Sequence, residues 1–229
     1  MPLRPIYYDL ETTGIDCTRE RIVEVAFYDV EREKSFSQLV HPDRPIPPES
    51  SSIHQITDEM VSDAPRFAEI LPQLLSFCSG EVVLIAHNND NFDRPFLREE
   101  FKRASCQPPM EWKWIDSLRW ARKYRPDLPK HTLQFLRELY SLPSNQAHRA
   151  LDDVRTLHQL FSLLIGDLSF EEILTLLADD SSVKRMPFGK HKGKLLRELP
   201  KDYINWMASS GLLEKNAALK RSLEECQLL

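Results

Sequence analysis

The run Tyr8-Asp9-Leu10-Glu11-Thr12-Thr13-Gly14 sets two carboxylates two residues apart at the end of a β-rich stretch, just before a turn. Alternate residues of a strand point to the same side, so Asp9 and Glu11 face one way with Cα atoms about 7 Å apart. Two like charges held that close repel unless a proton or a cation lies between them. A divalent metal is the natural candidate.

Two further segments could complete such a site. Asp93 follows the apolar run Val82-Val83-Leu84-Ile85-Ala86, in the region where α/β sheets collect functional groups. An Asp just ahead of Pro95 also makes a good helix N-cap, so both readings stay open. The third segment is His148-Arg149-Ala150-Leu151-Asp152-Asp153, at the start of a strongly helical pattern. Its apolar face is Ala150, Val154, Leu157, Leu160, Phe161 and Leu164, and Asp153 falls on that face. Asp152 shares the outer face with Arg155, Thr156 and Gln159. An acid turned inward needs a partner, because an unpaired buried carboxylate is costly. His148 stands just ahead of the helix, where a lone histidine is more often a surface or capping residue than a base. If Asp9, Glu11, Asp93 and Asp153 converge, their all-oxygen ligation suits Mg²⁺ or Mn²⁺ rather than zinc. Two such ions can clamp a phosphodiester, and a histidine beside the attacking water would serve as general base.

The elements that must hold these residues are legible in outline. Strands are expected from Pro5 to Leu10, Arg21 to Val30 and Ser35 to Val40, with a hairpin at Glu31 to Lys34. His41 to Ser52, rich in Pro and Ser, reads as loop. Phe67 to Phe77 has helical spacing, with Pro72 inside the run. Val82 to Ala86 suits a buried parallel strand. A helix opens at Asp93, with Pro95 in its first turn, and runs to about Ala104. Trp112 to Asp116 reads as a further strand, Leu118 to Tyr124 and Thr132 to Tyr140 as short helices, and Arg149 to Ile165 as a long one. An opening meander followed by alternating strands and helices predicts an α/β fold with a mixed β-sheet flanked by helices.

Composition bounds the rest. The 229 residues are 41% apolar, enough for a packed core, and the net charge is −5. That mild acidity argues against a protein that merely coats nucleic acid. The charge is uneven: ten basic residues face five acidic ones from Lys184 onward, against 20 and 30 before it. Cys17, Cys78, Cys106 and Cys226 form no C-x-x-C pair, which fits a reducing compartment. No signal pattern or membrane-length apolar run is present, so a soluble cytoplasmic protein is expected. The polar break Asp179-Asp180-Ser181-Ser182 suggests a boundary, with one domain over 1–178 and a small basic C-terminal module, helical in part, over 179–229.

Asp9-Leu10-Glu11-Thr12-Thr13-Gly14, Asn91-Phe92-Asp93 with Pro95-Phe96-Leu97, and His148-Arg149-Ala150-Leu151-Asp152-Asp153 resemble the three motifs of the DEDDh (DnaQ-like) 3′→5′ exonucleases, within the ribonuclease H-like fold. Ile53-His54-Gln55-Ile56-Thr57 is similar to that family's IHxIT segment, and Ile115-Asp116 and His131-Thr132-Leu133 sit where its members carry similar residues. The stretch from His87 to Asp93 is one residue longer than the commonest family spacing. The resemblance implies that Asp9 bridges two metal ions, Mg²⁺ or Mn²⁺. Glu11 and Asp153 would hold the ion carrying the nucleophilic water, Asp93 would serve the second, and His148 would take the proton. The backbone of Leu10, Glu11, Thr12 and Thr13, with His54 and Phe92, would line the pocket for the 3′-terminal nucleotide, and the product would be a nucleoside 5′-monophosphate.

The tail Met186-Pro187-Phe188-Gly189-Lys190-His191-Lys192-Gly193-Lys194, with Tyr203 and Trp206, resembles a small module found after exonuclease domains of the exodeoxyribonuclease X-like type. Lys190, Lys192 and Lys194, set among glycines, could approach a phosphate backbone, or could be solvated loop residues. Phe188, Tyr203 and Trp206 read as the module's own core, with base stacking as the alternative.

The expected function is metal-dependent 3′→5′ hydrolysis of DNA, single-stranded or mismatched at its 3′ end, in repair or proofreading. RNA trimming is the rival within the class, since nothing in the sequence reads a 2′-hydroxyl. A catalytically silent nucleic-acid-binding module is the rival outside it. A polymerase partner is possible without being indicated, and no membrane partner is expected.

Overall fold

The computed structural model describes every residue except Met1, 144–149, 179–184 and 215. The chain divides into two compact units, Met1–Glu171 and Glu172–Leu229. The first is built on five strands: β1 (Arg4–Thr12), β2 (Ile22–Asp29), β3 (Lys34–Leu39), β4 (Val82–Ala86) and β5 (Lys113–Asp116). Their order in the sheet is β3-β2-β1-β4-β5. The meander β1-β2-β3 is antiparallel, and β4 and β5 join it in parallel, so β1 is where the sheet changes character. This is the mixed α/β sheet expected of the ribonuclease H-like architecture.

The helices of this unit are α1 (Pro48–His54), α2 (Asp58–Val61), α3 (Phe67–Phe77), α4 (Asp93–Arg103), α5 (Ser117–Tyr124), α6 (Leu133–Leu139) and α7 (Ala150–Ile165); α8 (Phe170–Ala178) begins at its end. The strand period divides the core into two layers. Ile6, Tyr8 and Leu10 point into the layer that holds Phe67, Ile70, Leu74, Phe96 and Phe101 of α3 and α4. Tyr7, on the opposite face, packs edge-on against His158 and Phe161 of α7. Asp9 and Glu11 share the Tyr7 side, and the start of α7 lies there too.

Two local expectations are corrected. The stretch read as loop from His41 to Ser52 contains the first turn of α1. Its prolines sit at Pro47 and Pro48, where a helix needs no N–H. The expected helix over Phe67 to Phe77 is present with Pro72 inside it, and its apolar face of Phe67, Ile70, Leu71 and Leu74 is buried on both sides of the proline. Thr156, assigned to the outer face with Asp152, is buried, because α7 packs against both β1 and β2 and so covers a wider stripe than a narrow apolar ridge.

The second unit holds two single-turn 3₁₀ helices, Gly189–His191 and Leu196–Glu198, followed by α9 (Lys201–Ser209) and α10 (Ala217–Glu225). The helical pattern read through Leu213 stops at Ser209, and a turn at Gly211 with φ +70° redirects the chain. Met186, Leu196, Ile204, Met207, Leu219 and Leu223 form its separate core. No described helix is long and apolar enough to cross a membrane.

Candidate active site

Strand pairing places the first two carboxylates. Asp9 is paired with Ala26 and Glu11 with Glu24 across β1 and β2. Both Asp9 and Glu11 keep partial solvent access, whereas the flanking Tyr8, Leu10 and Thr12 are buried. Asp153, on the first turn of α7, completes a group in which one ligand oxygen from each of Asp9, Glu11 and Asp153 lies within 4.8 Å of the others. Gln134 of α6 donates to Asp153 Oδ1 at 3.2 Å.

Asp93 approaches from the other side of β1 as the first residue of α4. It is buried, and its Oδ1 has no hydrogen-bond partner. Burial raises its pKa to about 8, reinforced by the charge of Asp116 and opposed by backbone N–H groups that include that of Leu10. Asp9 is pushed well above the ordinary carboxylate range by burial, then by the charges of Asp93, Glu11, Asp153 and Glu24. Three converging carboxylates, with the charge of Asp93 also acting on Asp9 and one Asp93 oxygen without a partner, form a donor set that a hard divalent cation fits. His148, the expected base, lies outside the described residues, as does the polar break at 179–182.

The remaining expected pocket residues are held by backbone contacts. His54 Nδ1 accepts the Ile56 N–H at 3.1 Å, so its proton sits on Nε2 and points to the Thr12 carbonyl at 3.2 Å. Thr12 Oγ1 donates to the Gly14 carbonyl, and the Thr13 carbonyl accepts from Ser50 Oγ. Both threonines are buried. Leu10 is also buried, and Phe92 is half-buried against Phe96 at 4.9 Å. The end of β1 is thus tied to α1 through Ser50 and His54.

Residues 6–161 match the model of the family described as "Exonuclease". The chain is 39% identical to the DNA polymerase III subunit epsilon of Treponema pallidum over 69% of its own length and 75% of that protein. It is 37% identical to the chloroplastic/mitochondrial exonuclease DPD1 of Arabidopsis thaliana over 72% of its length and 57% of that protein. Among solved structures, exonuclease X in complex with 5′ overhanging duplex DNA superposes with a TM-score of 0.60 at 29% identity, covering 76% of this chain and 99% of that one. Exonuclease I of E. coli with a dA16 oligonucleotide gives a TM-score of 0.65 at 19% identity over 79% of this chain and 44% of that one, a likeness of fold alone. This chain belongs to the DEDDh (DnaQ-like) exonuclease family. It is a hydrolytic nuclease, of a family that depends on divalent metal. Residues 172–224 match a separate model, described as a putative quorum-sensing-regulated virulence factor.

Within this DEDDh exonuclease, several residues that shape the site are invisible to motif reading. Glu24 adds a buried fifth carboxylate, and its Oε2 accepts the Ala150 N–H at 3.2 Å. The stretch before Asp93 is tied down by buried side chains. Asn89 is buried, accepts from the Tyr8 hydroxyl and donates to the Ile115 carbonyl at 2.9 Å. Asn88 takes a left-handed φ of 76°. Asp116 accepts the N–H groups of Asn88 and Asp90 while capping α5 through Leu118 and Arg119. One carboxylate therefore fixes the loop that delivers Asp93. The pairing of Ile115 with Asp116 was a faint signal for this, since an Asp ending a strand before a helix is an N-cap pattern.

Proposed function

We propose that this chain is a two-metal 3′→5′ exonuclease that hydrolyses the terminal phosphodiester of DNA and releases nucleoside 5′-monophosphates. The observation that supports it is the convergence of Asp9, Glu11 and Asp153 oxygens within 4.8 Å beside the partnerless Oδ1 of Asp93. Asp9, Glu11, Asp93 and Asp153 would hold the ions, Mg²⁺ or Mn²⁺ by the hardness of the donors. Bound there, such ions lower the pKa of water and offset charge on the phosphoryl oxygens.

The chain's own residues supply the rest. His148 takes the proton of the attacking water on its imidazole. The water oxygen bonds to phosphorus and the P–O3′ bond breaks; the O3′ of the shortened strand leaves and takes a proton from solvent, and the phosphate stays on the 5′ oxygen of the released nucleoside. The backbone from Leu10 to Thr13 and the half-buried ring of Phe92 seat the terminal nucleotide. His54 fixes that edge through the Thr12 carbonyl. Lys190, Lys192 and Lys194 of the second unit, all exposed, contribute charge toward the phosphate backbone.

DNA is the favoured polymer because the polymerase subunit of T. pallidum is a relative and the exonuclease X neighbour carries duplex DNA. Repair or proofreading in the cytoplasm is part of the same proposal, and four free cysteines fit a reducing compartment. The test is a panel of 3′-labelled single-stranded DNA, mismatched duplex DNA and RNA, each with Mg²⁺ and with EDTA. Mg²⁺-dependent mononucleotide release from DNA, abolished in Asp9→Ala, is expected. Faster release from RNA would assign the chain to RNA trimming, and full activity of Asp9→Ala would end the two-metal account.

A further inference from the structure

The second unit has a cleft of about 420 Å³ lined by Gly189, Lys190, Asp202, Tyr203 and Trp206. Tyr203 and Trp206 are one helical turn apart on α9, and their rings stack with centroids 5.4 Å apart at 22°. They differ sharply in burial. Tyr203 is 9% exposed and belongs to the unit's core, whereas Trp206 is 51% exposed. The expectation that Trp206 is a core residue is therefore overturned: one ring face is covered by Tyr203, and half of the side chain remains in solvent. A large aromatic surface left open beside a cleft is not needed to close the core, which is filled by Met186, Ile204, Met207 and Leu219.

Basic side chains frame the cleft. Lys190 Nζ lies 5.3 Å from the Tyr203 ring centroid, and His191 meets the same ring edge-on at 4.5 Å. The loop carrying these residues is closed by backbone hydrogen bonds, Met186 N–H to the Lys194 carbonyl and Gly193 N–H to the Met186 carbonyl, both 2.8 Å. Gly189 has φ +73°, and a Cβ there would stand 2.8 Å from the Tyr203 hydroxyl, so the close approach of loop to ring needs glycine. Arg185, Lys190, Lys192, Lys194 and Arg197 are all exposed, and among the described residues none of them is ion-paired. Asp202, in the cleft wall, sets a carboxylate among these cations. A bare polyanion gains less from such a wall than from an all-basic one, whereas a nucleobase offers an N–H for Asp202 to accept and a π face for Trp206.

We propose that this cleft binds a nucleobase of single-stranded DNA by stacking on Trp206, with the adjoining phosphates on Lys190 and its neighbours. The polymer's identity rests on the exonuclease reading of the first unit; the stacking chemistry does not. Base stacking on an aromatic side chain is sequence-tolerant, which suits a strand that must be gripped irrespective of what it encodes. A second grip covalently joined to the nuclease raises the local concentration of strand without any change at the catalytic acids.

The test uses the full chain in EDTA, so that binding is measured without cleavage. A short oligothymidylate and an abasic oligomer of the same length are the probes. Trp206→Ala should weaken oligothymidylate binding about 5- to 100-fold, the range for losing one stacked base, and leave abasic binding unchanged. Trp206→Phe keeps a stacking ring and controls for folding. It should retain most of the affinity while removing the tryptophan fluorescence quenching that oligothymidylate causes in the native chain. Equal oligothymidylate binding by native and Trp206→Ala chains, equal loss for the abasic strand, or quenching that persists in Trp206→Phe would each overturn the proposal. Absence of nucleotide release with Mg²⁺ would instead fall on the nuclease reading and leave the stacking result standing.

Discussion

The Glu24 carboxylate on β2 accepts the backbone N–H of Ala150, the first residue of the helix that carries Asp153. A strand residue thereby registers a helix more than a hundred positions away, and does so three residues before Asp153. Glu24→Ala should leave that N–H without its partner in a buried setting and cost about 1–3 kcal/mol, read from the urea midpoint. Glu24→Gln, which keeps an acceptor oxygen, should recover most of the loss. Nucleotide release should fall in Glu24→Ala with the metal ligands intact. Unchanged stability and rate would show that α7 is placed by packing alone.

Crowded acids tax the metal-free protein. Asp9 faces the charges of Asp93, Glu11, Asp153 and Glu24. In EDTA at pH 8, Asp9→Asn should therefore melt about 2–8 °C above the native chain, as expected for relief of roughly 1–2 kcal/mol in a chain of this size. Mg²⁺ should narrow or reverse the gap, because only the native site gains from the cation. A native chain that melts higher in EDTA would contradict the repulsion.

Asp116 ties two segments together through four backbone N–H groups. Asp116→Ala should cost about 3 kcal/mol, combining a lost helix cap with two freed loop donors. Its activity should drop even under conditions where the variant is fully folded, since the loop that presents Asp93 loses its anchor. Retention of full rate by the folded variant would remove Asp116 from the positioning network.

His87 gives an acid-side prediction. Burial lowers its pKa below 6.5, against weaker raising contributions from its hydrogen bond to His131 and the charge of Asp116, with Arg122 and the His131 ring adding to the lowering. Its Nε2–H donates to the His131 carbonyl at 2.7 Å. A histidine whose folded pKa is depressed binds fewer protons folded than unfolded. Stability is therefore complete above pH 6.5 and is lost as pH falls below it, with a limiting slope of about 1.4 kcal/mol per pH unit. The difference in stability between the native chain and His87→Gln should shrink from pH 7 to pH 5.5. A difference that is flat with pH would mean that His87 titrates alike in both states.

The parts of the site that were legible are those set by local periodicity. Asp9 and Glu11 follow from a two-residue repeat, and Asp153 from its place among Ala150, Val154 and Leu157. Asp93 was ambiguous because the same position serves a metal or a helix start, and its partnerless oxygen appears only in three dimensions. Glu24 was hidden inside a run that reads as apolar strand, from Ile22 to Phe27. Its opposition to Glu11 exists only once β1 and β2 are paired. Asn89 and Gln134 are likewise defined by neighbours distant in sequence. In the second unit, composition favoured burial of every aromatic residue, whereas a core this small is closed by aliphatic side chains and Tyr203, with no room needed for Trp206. The helix Ala217–Glu225 had a signal that the reading passed over, since Leu219 and Leu223 are spaced to share one face.

The alternation along β1 has an evolutionary corollary. Tyr7, Asp9 and Glu11 share one face, while Ile6, Tyr8 and Leu10 fill the core on the other. Loss or gain of one residue between Pro5 and Tyr8 would exchange the two sets, driving acids into the apolar layer and hydrocarbon toward α7. Drift along this strand is therefore confined to replacement in place. Length variation is left to the loops, where an added residue moves no strand side chain across the sheet.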